Sequence, residues 1–242
     1  KQDINLLTGH CAEKIDPGQQ TVSGVTLGGG HFELPYDRLL IATGSSAVVP
    51  DRAGFEAPGV MVVKSLEDGR NIKNFLKDNI VKKAIIIGMG YIALEMCESL
   101  VGLNIAVEMV KPNPVFMPWL EPSMAQAVRE ELEAKWVGVY AGHTVERIET
   151  SGDGLKVICP DLTLTADMVL VGIGVNPCSR IAETADLELG VKKSIAVDRN
   201  LRTSDINIYA AGDCADAYHV VTGEKTWVPL ALRANRSGWA VA

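Results

Sequence analysis

The sequence predicts an α/β protein built on a doubly wound parallel sheet, and three observations carry that expectation. An apolar, β-branched run, 84–87, ends in the glycines of "AIIIGMGYIALE" and leads into a segment of helical composition. Two further continuous apolar runs, in "YDRLLIATGS" (36–45) and "MVLVGIG" (168–174), have the character of strands buried on both faces. Strand-like and helix-like segments also alternate through the middle of the chain, the order a parallel sheet with crossover helices requires.

Composition bounds the rest. With 242 residues and 47% hydrophobic content, the chain can build one large or two small domains with substantial cores. The net charge of −7 and scattered Lys and Arg argue against nucleic acid as a partner. Five widely spaced cysteines contain no C-x-x-C pair, so neither a zinc site nor a disulfide scaffold is expected. Cys97 and Cys159 lie in apolar stretches and read as small buried thiols. The one long apolar stretch, 84–110, is interrupted by Glu95, Glu98 and Glu108 and punctuated by glycines, which excludes a membrane span. No signal peptide opens the chain, and a cytoplasmic location is expected. The chain starts at Lys1 without a methionine and stops at Ala242 within helical composition, so it is expected to be a piece of a longer protein.

Taken in order, residues 4–8, 20–27 and 31–34 suggest a small antiparallel sheet. The run within 36–45 follows as a buried strand, and "PDRAGFEAPG" (50–59), rich in turn formers, reads as a linker. "LEDGRNIKNFLKDN" (66–79) carries Ile72, Phe75, Leu76 and Asn79 at helical spacing. After the glycine turn, 92–101 reads as a helix and 105–110 as the next strand. "EPSMAQAVREELEAKW" (121–136) predicts a helix capped at Glu121 with Pro122 at its first position. Its core face is expected to be Met124, Val128, Leu132 and Trp136. Strands follow at 145–149, 155–159, 162–165 and within 168–174. "SIAVD" (194–198) and "INIYAAGD" (206–213) predict two more, and a last helix begins near Pro229.

The glycine turn carries chemistry. Gly88, Gly90 and Ala93 fit G-x-G-x-x-A after a strand and before a helix, with a second strand on schedule. The first glycine permits the tight turn, the second lets a pyrophosphate approach, and the small third residue allows close helix–strand packing. The anion would then meet free N–H groups at the positive end of the helix. A carboxylate is expected at the end of the second strand to accept bonds from the ribose, but Lys111 occupies that position. A lysine cannot accept those bonds and can pair with a 2′-phosphate, which leans the cofactor toward NADPH, although a solvated lysine at a strand end is an equally good reading. Glu108 is the rival acid, three residues earlier and inside the strand.

Three segments together, "YDRLLIATGS", "IIIGMGYIALEMCESL" and "NIYAAGDCAD", resemble the flavin-dependent pyridine nucleotide–disulfide oxidoreductases, in particular the NADH oxidase, coenzyme A-disulfide reductase and rubredoxin reductase branch. "VGIGVNP" and "VPLALRANRSGWAVA" resemble the same branch's return strand and final FAD-domain helix. The resemblance implies a Rossmann-like NAD(P)H domain, with a parallel sheet and a β-meander, inserted between segments of an incomplete FAD domain. The implied divisions are 1–62, 63–176 and 177–242. It also implies that the family's first, FAD-binding glycine turn, its redox cysteine segment and its dimerisation domain lie outside this sequence, and that the parent protein is a homodimer.

By position, the resemblance places Gly88, Gly90 and Ala93 around the NAD(P)H pyrophosphate, counts Ile92 among the cofactor-binding residues, and sets Gly172 and Gly174 against the nicotinamide. Glu95 would lie near the nicotinamide, and Tyr91 matches an aromatic residue that can cover the flavin. Thr43 and Gly44 match a strand end close to FAD, and Asp213 matches an aspartate bonded to the ribityl chain. Each has a plainer reading: Asp213 as a turn cap, Glu95 as an exposed helix residue, Tyr91 as packing. Lys111, Cys178 after Pro177, and Trp239 after Gly238 depart from the family pattern. The activity implied is hydride transfer from NAD(P)H to FAD and on to a disulfide, dioxygen or a small redox protein, with no catalytic residue of its own assigned within these 242 positions. The alternative is a non-catalytic nucleotide-binding module or redox sensor on the same fold.

Overall fold

The computed structural model describes residues 4–152 and 154–241. The chain forms two compact units: residues 1–46 with 176–242, and residues 47–175 inserted between them in sequence.

The chain enters through a meander of β1 (His10–Asp16), β2 (Thr21–Thr26) and β3 (His31–Pro35), paired antiparallel in that order. The first strand lies at 10–16 and not at the expected 4–8. Pairing runs outward from the 17–20 turn until His10 meets Thr26, and Gly9, at φ +68°, turns the preceding residues out of the ladder. A bulge between Ala12 and Lys14 brings the backbone so close that a Cβ on Gly24 would sit 1.9 Å from the Cys11 carbonyl oxygen. Next come β4 (Leu39–Ile41) and β5 (Ser45–Ala47), in which the chain crosses into the inserted unit.

The inserted unit holds a parallel sheet. Its elements are β6 (Val60–Val62), α1 (Leu66–Asp78), β7 (Lys83–Ile87), α2 (Tyr91–Gly102), β8 (Ala106–Lys111), α3 (Pro122–Ala134) and β9 (Gly138–Ala141), followed by the meander β10 (Arg147–Ser151), β11 (Gly154–Ile158) and β12 (Thr163–Ala166), and then β13 (Met168–Val171). The sheet order is β6-β13-β7-β8-β9. Because β6 is its edge strand, paired Val60 to Val169, the first boundary falls at 46/47 and not at 62/63. Alternate residues of the central strands feed opposite cores. Ala84, Ile86, Met168 and Leu170 pack with Ile72, Ala93, Cys97 and Leu100. Ile85, Ile87, Val169 and Val171 pack with Ile148, Leu155, Val157 and Leu164 of the meander. Burial on both faces is why these strands read as unbroken apolar runs.

Two expectations change here. Residues 50–59 are no free linker: Phe55 is buried in the meander core, Ile148 N donates to Ala53 O at 2.9 Å, and a Cβ on Gly54 would strike the Ile148 carbonyl. On α3 the core face is Ala125, Val128 and Leu132, while Met124 is 60% and Trp136 93% exposed. Trp136 lies past the helix end at φ +61°, so the spacing of four no longer applies to it. Glu121 sits at the N-cap but makes no side-chain capping bond, and Pro122 takes the first turn as expected. On α1, by contrast, Ser65 and Asp68 form a reciprocal capping box that fixes the helix start.

The returning chain forms β14 (Val175–Pro177), α4 (Arg180–Glu183), β15 (Ile208–Ala210), the short hairpin β16 (Ala217–Tyr218) with β17 (Lys225–Thr226), and α5 (Ala231–Val241). β15 pairs in parallel with β4 over a core that includes Ile15, Ile41, Ile195, Ile208 and Cys214. "SIAVD" is not a strand; Ile195 makes only isolated bridges to Leu189 and Ala215. Cys97 and Cys159 are buried thiols. Among the described residues no helix is long and apolar enough to cross a membrane, and no group of three ligating side chains could hold a metal.

Candidate functional site

In the inserted unit, the turn between β7 and α2 is built around two glycines with different constraints. Gly88 has φ +116°, and a Cβ there would lie 2.2 Å from the Gly172 carbonyl oxygen. Its N–H donates to Val110 O at 2.8 Å, and Gly172 N donates to Ile87 O at 2.8 Å. Gly88 is therefore a glycine because of the protein's own packing. Gly90 is different: its φ is −87°, and a Cβ there would meet nothing within 4 Å. It stands at the N-cap of α2, which has no side-chain cap and no acidic residue in its first turn. Ala93 is buried and faces Gly172, where a Cβ would come within 3.4 Å of the Ala93 methyl. Gly174, at φ +123°, borders open space in the same unit. The arrangement is a helix N-terminus with unsatisfied donors and open volume in front of them, the geometry that receives a phosphate.

At the end of β8, Lys111 is buried rather than solvated, and burial pulls its ammonium below the usual lysine range. Nζ donates to Val115 O at 2.8 Å, and the Lys111 carbonyl accepts from Gly142 N and His143 N. Glu108 does not substitute for the missing strand-end acid: it lies mid-strand, 2.9 Å from Lys83 Nζ and 3.4 Å from the Tyr140 hydroxyl. Tyr91, Ile92 and Glu95 are exposed on the first turns of α2. The Tyr91 ring rests 5.9 Å from the Trp119 ring, a neighbour the sequence did not single out.

The other unit holds a second group at the carboxyl ends of β4 and β15. Gly44 has φ +71° with open space at its Cβ position, and its carbonyl accepts from Cys178 N at 2.9 Å. Thr43 Oγ1 donates to Cys178 O at 2.5 Å, so Cys178 acts through its backbone. Asp213 is half-buried; its Oδ2 accepts from Ser45 Oγ at 2.9 Å and its carbonyl from Trp227 Nε1 at 2.8 Å. Arg233 of α5 fastens that helix to the Asp213 turn, with Nη1 donating to Gly212 O at 2.8 Å and Ala215 O at 2.9 Å. Ser45, Trp227 and Arg233 escape sequence reading because their partners are 14 to 168 residues away. Nothing in the structure explains Trp239, which is exposed on α5.

The family model for pyridine nucleotide-disulphide oxidoreductases matches residues 1–238. The chain belongs to this family. A protein from Methanocaldococcus jannaschii named NADH oxidase is 33% identical over 239 residues, 98% of this chain and 53% of that protein. Among solved structures, a NAD-dependent persulfide reductase from A. fulgidus superposes with a TM-score of 0.92 at 36% identity, over 98% of this chain and 44% of its own. The water-forming NADH oxidase from Lactobacillus brevis, solved bound to NADH, gives a TM-score of 0.90 at 26% identity over 96% of this chain and 51% of its own. The chain thus spans about half the length of these relatives.

The residues present fit the nucleotide groups that membership of this oxidoreductase family implies. A Cβ at Gly90 would fill open space directly before the uncapped donors of α2, and one at Gly44 would do the same beside the Asp213 turn. Both positions leave room at the backbone that no part of their own unit occupies.

Proposed function

We propose that the protein is an oxidoreductase that passes hydride from NAD(P)H to FAD and on to a disulfide, dioxygen or a small redox protein. The inserted unit holds the nicotinamide nucleotide, and the unit of residues 1–46 and 176–242, outer in sequence, contributes to the flavin site. The observation that carries this reading is the open Cβ position of Gly90 at the uncapped start of α2, with Gly88 and Gly172 locked together behind it.

The chain's own residues have distinct tasks in this reading. The first N–H groups of α2 and its positive end hold the pyrophosphate. Gly172 and Gly174 leave a small-residue wall for the nicotinamide, and Glu95, exposed one turn into α2, offers an acceptor close to it. Ile92 supplies an apolar contact on the same turn. In the outer unit, Asp213, oriented by Ser45, offers carboxylate oxygens to flavin hydroxyls, and Thr43 and Gly44 bring a strand end close to them. Bound FAD supplies the two-electron chemistry, while the protein orients the reactants.

Lys111 supports acceptance of NADPH. Its ammonium donates one N–H to Val115 O, an ammonium has two more to offer a 2′-phosphate, and no carboxylate ends β8 to repel that phosphate.

Calorimetric titration with ADP-ribose, NADH and NADPH tests the reading. The parent protein should bind all three, and Gly90→Val, which places a branched side chain where the pyrophosphate passes, should lose most of that affinity while melting like the parent. A parent that binds none of them, or a Gly90→Val protein that binds as well as the parent, overturns it.

A further inference from the structure

Trp119 fits no sequence motif, and the structure gives it a definite place. The loop that carries it, 112–121, is anchored at several points. Lys111 Nζ bonds Val115 O, Val115 N donates to Asn113 Oδ1 at 2.8 Å, and Leu120 N donates to Met117 O at 3.0 Å. Phe116 and Met117 are buried in the helical-face core, and the Arg129 guanidinium covers the Phe116 ring at 5.6 Å. Met117, buried in that core, adopts φ +48°, a left-handed conformation uncommon for a residue with a β-carbon.

These anchors leave Trp119 on the surface at a fixed place. Trp119 is 48% exposed and its ring meets the Tyr91 ring at 5.9 Å with 53° between planes, while Tyr91 itself is 61% exposed. Ile92 and Val115 are exposed on the same two segments. Two large rings that touch and still face solvent, beside an uncapped helix start, form an apolar wall next to a phosphate site. A dinucleotide is a pyrophosphate flanked by two flat ring systems. Sheet order says which ring reaches this wall. The loop follows β8, on one side of the glycine turn, whereas Gly172 and Gly174 follow β13 on the other. The strand that follows the first crossover helix carries the adenosine ribose in doubly wound folds.

Resting on the nucleotide reading of the glycine turn, we propose that Trp119, held against Tyr91, is the residue that receives the adenine ring of NAD(P)H. Its broad apolar face supplies stacking that is indifferent to the 2′-phosphate, so it sets affinity for the adenosine half in both cofactors, while Lys111 acts on the choice between them.

The test compares Trp119→Ala and Trp119→Phe with the parent, using ADP-ribose, NADPH and reduced nicotinamide mononucleotide as probes. Loss of one aromatic stacking partner should weaken ADP-ribose and NADPH by about tenfold each in the alanine variant. Trp119→Phe should recover most of the loss, the mononucleotide should bind unchanged, and ADP-ribose should quench part of the parent's tryptophan emission but less in Trp119→Phe. Thermal melts establish that both variants fold. The proposal is overturned if Trp119→Ala binds ADP-ribose like the parent, or if the mononucleotide loses as much affinity as NADPH. A parent that fails to bind ADP-ribose at all sinks the nucleotide reading itself, a different result from a parent that binds and a variant that does not care.

Discussion

Gly88 and Gly172 stand so close that a Cβ on the first would lie 2.2 Å from the carbonyl oxygen of the second. That contact joins the ends of β7 and β13 at the point where α2 begins, and it separates structural from functional demands within one short motif.

Gly88→Ala should therefore destabilise the fold by on the order of 3 kcal/mol, since it combines a positive φ with a backbone clash. Gly90→Ala, at φ −87° with nothing near its Cβ, should change stability by under about 1 kcal/mol. Urea unfolding of the two variants measures the difference. Equal losses would mean that Gly90 too is held by packing.

Lys111 allows a test of cofactor choice with little disturbance. Methionine keeps the buried stem and removes the charge, whereas a glutamate would confront the Val115 carbonyl. Loss of one charge-assisted contact to a 2′-phosphate should lower NADPH affinity relative to NADH by about tenfold. An unchanged affinity ratio in Lys111→Met would show that the ammonium serves only Val115.

Cys97 gives a pH-dependent expectation. Burial, followed by the nearby Glu98 charge, pushes its thiol up to about 11 in the folded protein. The folded state thus favours the neutral thiol. This contribution is constant below the ordinary thiol value, then falls as pH rises toward 11, because the unfolded chain ionises first. At pH 8 a thiol-specific disulfide reagent should label exposed Cys11 quickly and reach Cys97, Cys159 and Cys214 only after unfolding. Rapid labelling of Cys97 in the native protein would contradict its burial.

Much of the scaffold was legible because its signals are local. Ile85 and Ile86 read as strand residues since both faces of β7 are covered, and Pro122 announces the start of α3. Local signals fail where a distant partner decides the outcome. The first strand lies at 10–16 because Thr26 and its neighbours pair there, and Phe55 turns an apparent linker into a packed loop. Met124 and Trp136 fit a helical spacing, yet the neighbour beneath α3 is reached by Ala125 instead.

By itself the sequence determined that a glycine turn joins a strand to a helix, that Lys111 stands at the end of the following strand, and that Asp213 lies in a turn after another strand. Those are features of residues within a few positions of one another, where period and turn chemistry act. Only the tertiary structure decided that Gly88 answers to Gly172, that Lys111 is buried against Val115 O, that Glu108 belongs to Lys83, and that Trp119 meets Tyr91. Each depends on which strand lies beside which and on where a loop is pinned, and long-range packing sets both.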